Sequence, residues 1–170
     1  MASTTSNSTP VKKYDFTGKV ALVTGSSSGI GAAIAIQLAQ YGAHLVITGT
    51  SPKDLQEVAN KIEQVSPIKA TPLQLPGNLL ADSFPRKLIE ETIAKYGRLD
   101  VLVNNAGAAT PNGSLASENL LQEFDKLVRL NVRVPVELTQ LAAPHLEKTR
   151  GNVINISSGT SLKPVSFMKF

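Results

Sequence analysis

KVALVTGSSSGIG, residues 19–31, is the stretch from which the rest of the chain can be read. Val20, Ala21, Leu22 and Val23 form a short apolar run whose length and β-branching suit a strand buried on both faces. Residues 24–31 follow as a turn of small residues, and residues 32–41 carry a helical period. Ile30, Ile34, Leu38 and Tyr41 recur at steps of three or four, which predicts one apolar face. Strand, glycine turn and helix make the first half of a βαβ unit. The open N–H groups and positive dipole end of such a helix favour a phosphate over the turn. Gly25, Gly29 and Gly31 leave room for the backbone to approach it. A P-loop is excluded, because no lysine closes the turn. Two other readings stay open at this point. The glycines can serve an ordinary tight turn, or Gly25-Ser26-Ser27-Ser28-Gly29 can be the Gly-x-Ser-x-Gly elbow of a serine hydrolase, with Ser27 as nucleophile and His44 or His145 as base.

The chain has 170 residues, enough for one domain with a real core. A net charge of +4 comes from scattered lysines and arginines with no interleaved aromatics, so no nucleic-acid partner is expected. Cysteine is absent, which rules out disulfides and Cys-based metal sites and suits a reducing, cytoplasmic setting. No metal centre is expected. No apolar stretch reaches membrane-spanning length, and the N-terminus has no hydrophobic segment of a secretory signal.

Residues 1–14 are dominated by Ser, Thr and Asn at their start and are expected to be a disordered tail, with the folded unit at 15–170. Residues 45–48 read as a second strand. Ser51-Pro52-Lys53-Asp54 reads as a helix start, with Ser51 as cap and Asp54 three residues on. Leu73 to Leu75 belong to a third strand, residues 82–96 to a helix stopped by Gly97, and DVLVN at 100–104 to a fourth buried strand. A loop rich in Ala, Gly, Asn and Pro leads to Ser117, read as the cap of a long helix that kinks or restarts near Pro135. Residues 152–156 are a fifth strand. The order βαβαβαβαβ predicts a parallel sheet with helices on both faces.

Four motifs on these elements resemble the short-chain dehydrogenase/reductase family. Residues 24–31 match its Thr-Gly-x-x-x-Gly-x-Gly turn, and Asn104-Asn105-Ala106-Gly107 matches its Asn-Asn-Ala-Gly signature after the fourth strand. Asn131 stands in Leu-Asn-Val within the long helix, and Asn155-Ile156-Ser157-Ser158 matches the end of the fifth strand. The resemblance implies an α/β Rossmann-type doubly wound parallel sheet, truncated here after the fifth strand. It implies hydride transfer between a nicotinamide cofactor and a small-molecule carbonyl or alcohol, with Ser158 and Asn131 as catalytic residues. Ser158 would hydrogen-bond the substrate oxygen, and Asn131 would hold a water in the proton chain. Gly25, Ser27, Ser28, Gly29, Ile30 and Gly31 would hold the diphosphate, and Asn105, Ala106 and Gly107 would form the floor under the adenosine ribose. Asn78 and Leu79 would lie beside the adenine, where the family often carries Asp and an apolar residue. A homo-oligomer is implied for the longer protein.

The second strand ends Thr48-Gly49-Thr50, with no acid to accept bonds from a ribose 2′-OH. Thr50 and Ser51 can bond a 2′-phosphate, with Lys53 nearby, so charge favours NADP, with NAD the alternative. The family's proton donor is a tyrosine followed three residues on by a lysine. That pair occurs nowhere after Ser158, and the family's usual interval lands just past Phe170. The 170 residues are therefore expected to be inactive alone, the N-terminal portion of an oxidoreductase. The alternative is a non-catalytic short form that binds a nucleotide or pairs with a full-length subunit. The fifth strand is expected to present an open apolar edge.

Overall fold

A computed structural model describes residues 14–109 and 118–159. The tail up to residue 13, the Ser117 cap and residues 160–170 lie outside the described residues. Tyr14, at the end of the expected tail, packs edge-on against Tyr41 at 5.7 Å.

The elements alternate as expected: β1 (Val20–Val23), α1 (Gly29–Gln40), β2 (His44–Gly49), α2 (Pro52–Val65), β3 (Leu73–Pro76), α3 (Phe84–Tyr96), β4 (Val101–Asn104), α4 (Leu120–Val128), α5 (Val134–Thr149) and β5 (Asn152–Asn155). All strand pairings are parallel, in the order β3-β2-β1-β4-β5. In β1 all four residues are buried, and alternate side chains feed two cores. Ala21 and Val23 join Leu45, Ile47 and Val103 against α1 and α2. Val20 and Leu22 join Val46 and Leu102 against α3 and α5. Each crossover helix thus covers one face, as consistently handed βαβ connections require when the strand order turns back on itself.

The apolar face of α1 is not the one predicted by the isoleucine and leucine spacing. Its buried residues are Gly31, Ala32, Ala35 and Ala39, while Ile30 is 64% exposed. The helix packs on β1, β2 and α2 together, and only small side chains let it come so close. Ile34 and Leu38 line the flanks, partly buried. Ser51 does cap α2, accepting a bond from Asp54 N–H at 3.3 Å. The expected long helix is two helices joined by a π turn at Arg129–Arg133, so the break precedes Pro135. Pro135 then follows the π turn directly, where it can return no N–H to the preceding helical residues.

β5 is an edge strand, and Ile154 on it is 45% exposed. Among the described residues its second edge is unpaired, as the sequence suggests. At the other end of the strands, Asp100 fixes the register of β1 against β4. Its N–H donates to Val20 O at 2.9 Å. Its carboxylate accepts from Val20 N–H at 3.0 Å, from Arg98 Nε and Nη2 at 2.8 and 2.7 Å, and from Lys19 Nζ at 3.2 Å. Burial alone would push this carboxyl up, but the bonds from Arg98, Val20 and Lys19 outweigh it and hold it below its ordinary value. A depressed carboxylate contributes stability above the unfolded-state value near ~4 and loses it as pH falls through the folded-state value. Asp100→Asn is expected to lower unfolding free energy by about 2 kcal/mol at pH 7. It should also flatten the acid limb of stability against pH, measured by urea denaturation between pH 7 and pH 3.

Candidate dinucleotide-binding site

The strand order reverses between β1 and β4. β1 leads to β2 and β3 on one side, and β4 leads to β5 on the other. Connections that leave in opposite directions open a crevice beyond the carboxyl ends of the two strands, the usual ligand position in open α/β sheets. Here that crevice is walled by the turn after β1 and by residues 105–107 after β4.

The two walls are tied through Thr24 and Asn105. Thr24 Oγ1 accepts from the N–H groups of Asn105 and Ala106, both at 3.0 Å, and donates to Val103 O at 3.2 Å. Asn105 Nδ2 returns bonds to Thr24 O at 2.9 Å and Gly25 O at 3.1 Å. Gly25 has φ +61°, and a Cβ on it would lie 2.9 Å from Ala106 Cα. Gly31 is tighter still: a Cβ there would fall 2.3 Å from Gly25 O and 2.4 Å from Asn105 Nδ2. These glycines are therefore required by close approach of backbone to backbone. Buried Ser26 anchors the turn sideways to β2, donating to Val23 O at 2.8 Å and accepting from Thr48 N–H at 3.0 Å. The first helical bond of α1 runs from Ala32 N–H to Ser28 O, so the N–H groups of residues 29–31 have no helical partner. Ser28, the N-cap, makes no side-chain bond to them.

Two clefts open on this framework. The smaller, about 290 Å³, is lined by Gly25, Ser27, Ser28, Thr50, Asn78, Leu79 and residues 105–107. The larger, about 1050 Å³, is lined by Ile30, Asn131, Ser157, Ser158 and the same residues 105–107. The sequence-predicted residues thus gather into two adjoining chambers with Asn105, Ala106 and Gly107 as the shared floor. Gly29 and Gly31 line neither; they shape the helix start from below. Asn131 lies in the π turn, where its amide brackets one residue: Oδ1 accepts from Ala108 N–H at 3.0 Å and Nδ2 donates to Ala108 O at 2.8 Å. Asn78 Oδ1 accepts from Leu80 N–H at 2.9 Å, turning the chain at the mouth of the smaller cleft. No ionisable side chain among the described residues lines either cleft.

Sequence reading left three contributors unassigned. Thr24 is a buried hydroxyl immediately after an apolar strand, a signal that could have marked it. Thr139 and Asn155 could not be found that way, because their partner is 35 to 51 residues distant: Asn104 Nδ2 donates to Asn155 Oδ1 at 2.9 Å and to Thr139 Oγ1 at 3.4 Å. Asn104 itself lines the larger cleft, but its Oδ1 is buried with no partner among the described residues.

The hydrolase reading of Ser27 fails on geometry. His44 starts β2 and packs on Tyr96 at 5.5 Å, at the end of the sheet opposite Ser27. His145 is in the last turns of α5, whose Thr149 hydroxyl bonds Leu99 O, again at that far end. Tyr96 is no proton donor for the clefts either. Its hydroxyl reaches Leu45 O at 3.4 Å, and burial pushes the phenol above its ordinary value.

Residues 19–170 match the short chain dehydrogenase family. Tropinone reductase-like 3 of Erythroxylum coca is 40% identical over 156 residues, which cover 90% of this chain and 57% of that protein. L-fucose dehydrogenase of Bos taurus is 42% identical over 149 residues, covering 84% and 50%. The chain spans about half the length of the curated relatives it matches. Among solved structures, a metagenomic short-chain oxidoreductase in complex with NADP superposes with a TM-score of 0.79 at 34% identity, covering 88% of this chain and 66% of that one. A short-chain dehydrogenase/reductase of Caenorhabditis elegans, solved with cofactor, gives the same TM-score and identity, covering 89% and 56%. With its sheet order, its glycine turn and these likenesses together, the chain belongs to the short-chain dehydrogenase/reductase family.

Proposed function

We propose that this protein is an oxidoreductase that binds NADP(H), with NAD(H) the less favoured alternative, and acts on a small-molecule carbonyl or alcohol. The observation that carries the reading is the shared floor: one backbone segment, 105–107, is fixed by Thr24 under two adjoining clefts. The residues present fit such a group. The unpartnered N–H groups of residues 29–31, with the α1 dipole behind them, suit the diphosphate, and Gly25, Ser27, Ser28 and Ile30 surround that point. Thr50, Asn78 and Leu79 line the smaller cleft, where Thr50 would meet the ribose and Asn78 and Leu79 would flank the base. A bound nicotinamide would supply the hydride.

Ser158 then donates a hydrogen bond to the substrate oxygen as charge develops on it. Asn131 fixes the Ala108 backbone and keeps one lone pair and one N–H for a water of the proton chain. No Tyr-x-x-x-Lys pair follows Ser158 in the sequence to complete that chain. The other tyrosines, Tyr14 and Tyr41, pair with each other at the N-terminal side of the fold. A second reading, a form that binds the dinucleotide without turnover or pairs with a longer copy, rests on the clefts, which no ionisable side chain among the described residues lines. Both readings take residues 15–170 as one dinucleotide-binding unit. Both fit a cytoplasmic protein. Among the described residues no helix is long and apolar enough to cross a membrane.

Titration of nicotinamide fluorescence is expected to show saturable binding of NADPH, weaker binding of NADH, and no sustained NADPH oxidation by these 170 residues with carbonyl substrates. Extending the chain with a segment that carries Tyr-x-x-x-Lys should restore turnover. Failure to bind either dinucleotide would overturn the reading. Thr24→Val keeps the shape but offers no acceptor to two N–H groups. It is expected to cost about 2 kcal/mol of stability by denaturant titration and to weaken NADPH binding about tenfold.

A further inference from the structure

Position 49 closes β2, and in a dinucleotide fold the end of this strand is where an acidic side chain would meet the ribose 2′-OH. Sequence alone says only that a glycine stands there. The geometry gives the reason. An ideal Cβ on Gly49 would lie 2.6 Å from Ser27 Oγ and 2.8 Å from Ser27 Cβ. Carbon atoms in contact sit about 3.5–4.0 Å apart, so no L-residue fits without movement. Rotating the serine about its first side-chain bond moves Oγ but leaves Cβ where it is. That Cβ is placed by the turn backbone, and the turn is locked to β2 by its neighbour: Ser26 N–H donates to Thr48 O at 2.9 Å, and Ser26 Oγ bonds Val23 O and Thr48 N–H. Both Ser27 and Gly49 line the smaller cleft beside Thr50.

We propose that Ser27 and Gly49 act as a single specificity element that bars any carboxylate from the end of β2 and so keeps the ribose 2′ position open to a phosphate. The inference rests on the dinucleotide reading above. With the acid excluded by volume, the groups left around the 2′ position are the Ser27 and Thr50 hydroxyls, which donate hydrogen bonds to a phosphate and do not repel it. The preference of the site is thus set by a steric link between the glycine turn and the second strand. Changing it takes two substitutions, one to make room and one to place the charge.

The test uses adenosine 2′,5′-bisphosphate and ADP, which report on the adenosine half alone, by isothermal titration calorimetry, with thermal melting of each variant alongside. The unsubstituted protein is expected to bind the bisphosphate about tenfold more tightly than ADP. Gly49→Ala should weaken both ligands by about tenfold and lower Tm. Ser27→Gly combined with Gly49→Ala should match Ser27→Gly alone in Tm and in both affinities, whereas Ser27→Ala with Gly49→Ala should stay below Ser27→Ala alone, because the obstructing Cβ is retained. Gly49→Asp alone should bind both ligands poorly, and Ser27→Gly with Gly49→Asp should prefer ADP. If Gly49→Asp alone prefers ADP as strongly as the double variant, or if Ser27→Ala rescues Gly49→Ala as well as Ser27→Gly does, the proposal is wrong. If the unsubstituted protein binds neither ligand, the dinucleotide reading falls. The steric link is then decided by melting alone, where additive Tm changes in the Ser27 and Gly49 cycle would refute it.

Discussion

The site depends on one hydroxyl. Thr24 Oγ1 receives two successive backbone N–H groups from beyond β4 while giving its own proton back to β4, so two loops some eighty residues apart become one surface. The amide of Asn105 answers from the other side and fills space that Gly31 leaves empty. With these bonds made, the position of the turn, the start of α1 and the floor of both clefts are no longer independent. A buried set of mutual donors and acceptors of this kind is costly to half-satisfy, so the arrangement holds as a unit.

Much of the architecture was legible because the strands are short apolar runs separated by glycine-bearing turns, and because β-to-α alternation leaves few topologies open. β1, β2 and β4 are buried on both faces and carry no polar alternation to confuse the pattern. The misreading of α1 has a definite cause. Hydrophobic periodicity assumes that the bulkiest apolar residues face the core, whereas a helix laid directly over a sheet and a second helix turns its alanines inward. The π turn was only half visible. Pro135 signals a break, but nothing local reveals that one extra residue is accommodated over Arg129–Arg133. The motif residues could be named from the sequence. Their division into two chambers, and the pairing of Asn104 with Asn155 and Thr139, could not, since both arise from contacts across the sheet.

The fold also separates what holds it from what it offers a ligand. The charged cluster of Lys19, Arg98 and Asp100 lies at the amino ends of the strands, and the clefts lie at the carboxyl ends. β1 connects the two: its first residue is fixed to the carboxylate and its last leads into Thr24. Disturbing the charge cluster therefore acts on overall stability, and disturbing the threonine acts on the shape of the site.

The uncharged lining of the two clefts has a consequence for regulation. A pocket built from amides, hydroxyls and main-chain dipoles holds no proton to gain or lose near neutrality. Its grip follows the ionisation of its guest and the geometry of the wall. With no titrating side chain among the described residues of its lining, acidification of the surroundings would reach such a pocket through the phosphates of its guest or by loosening the strands beneath it.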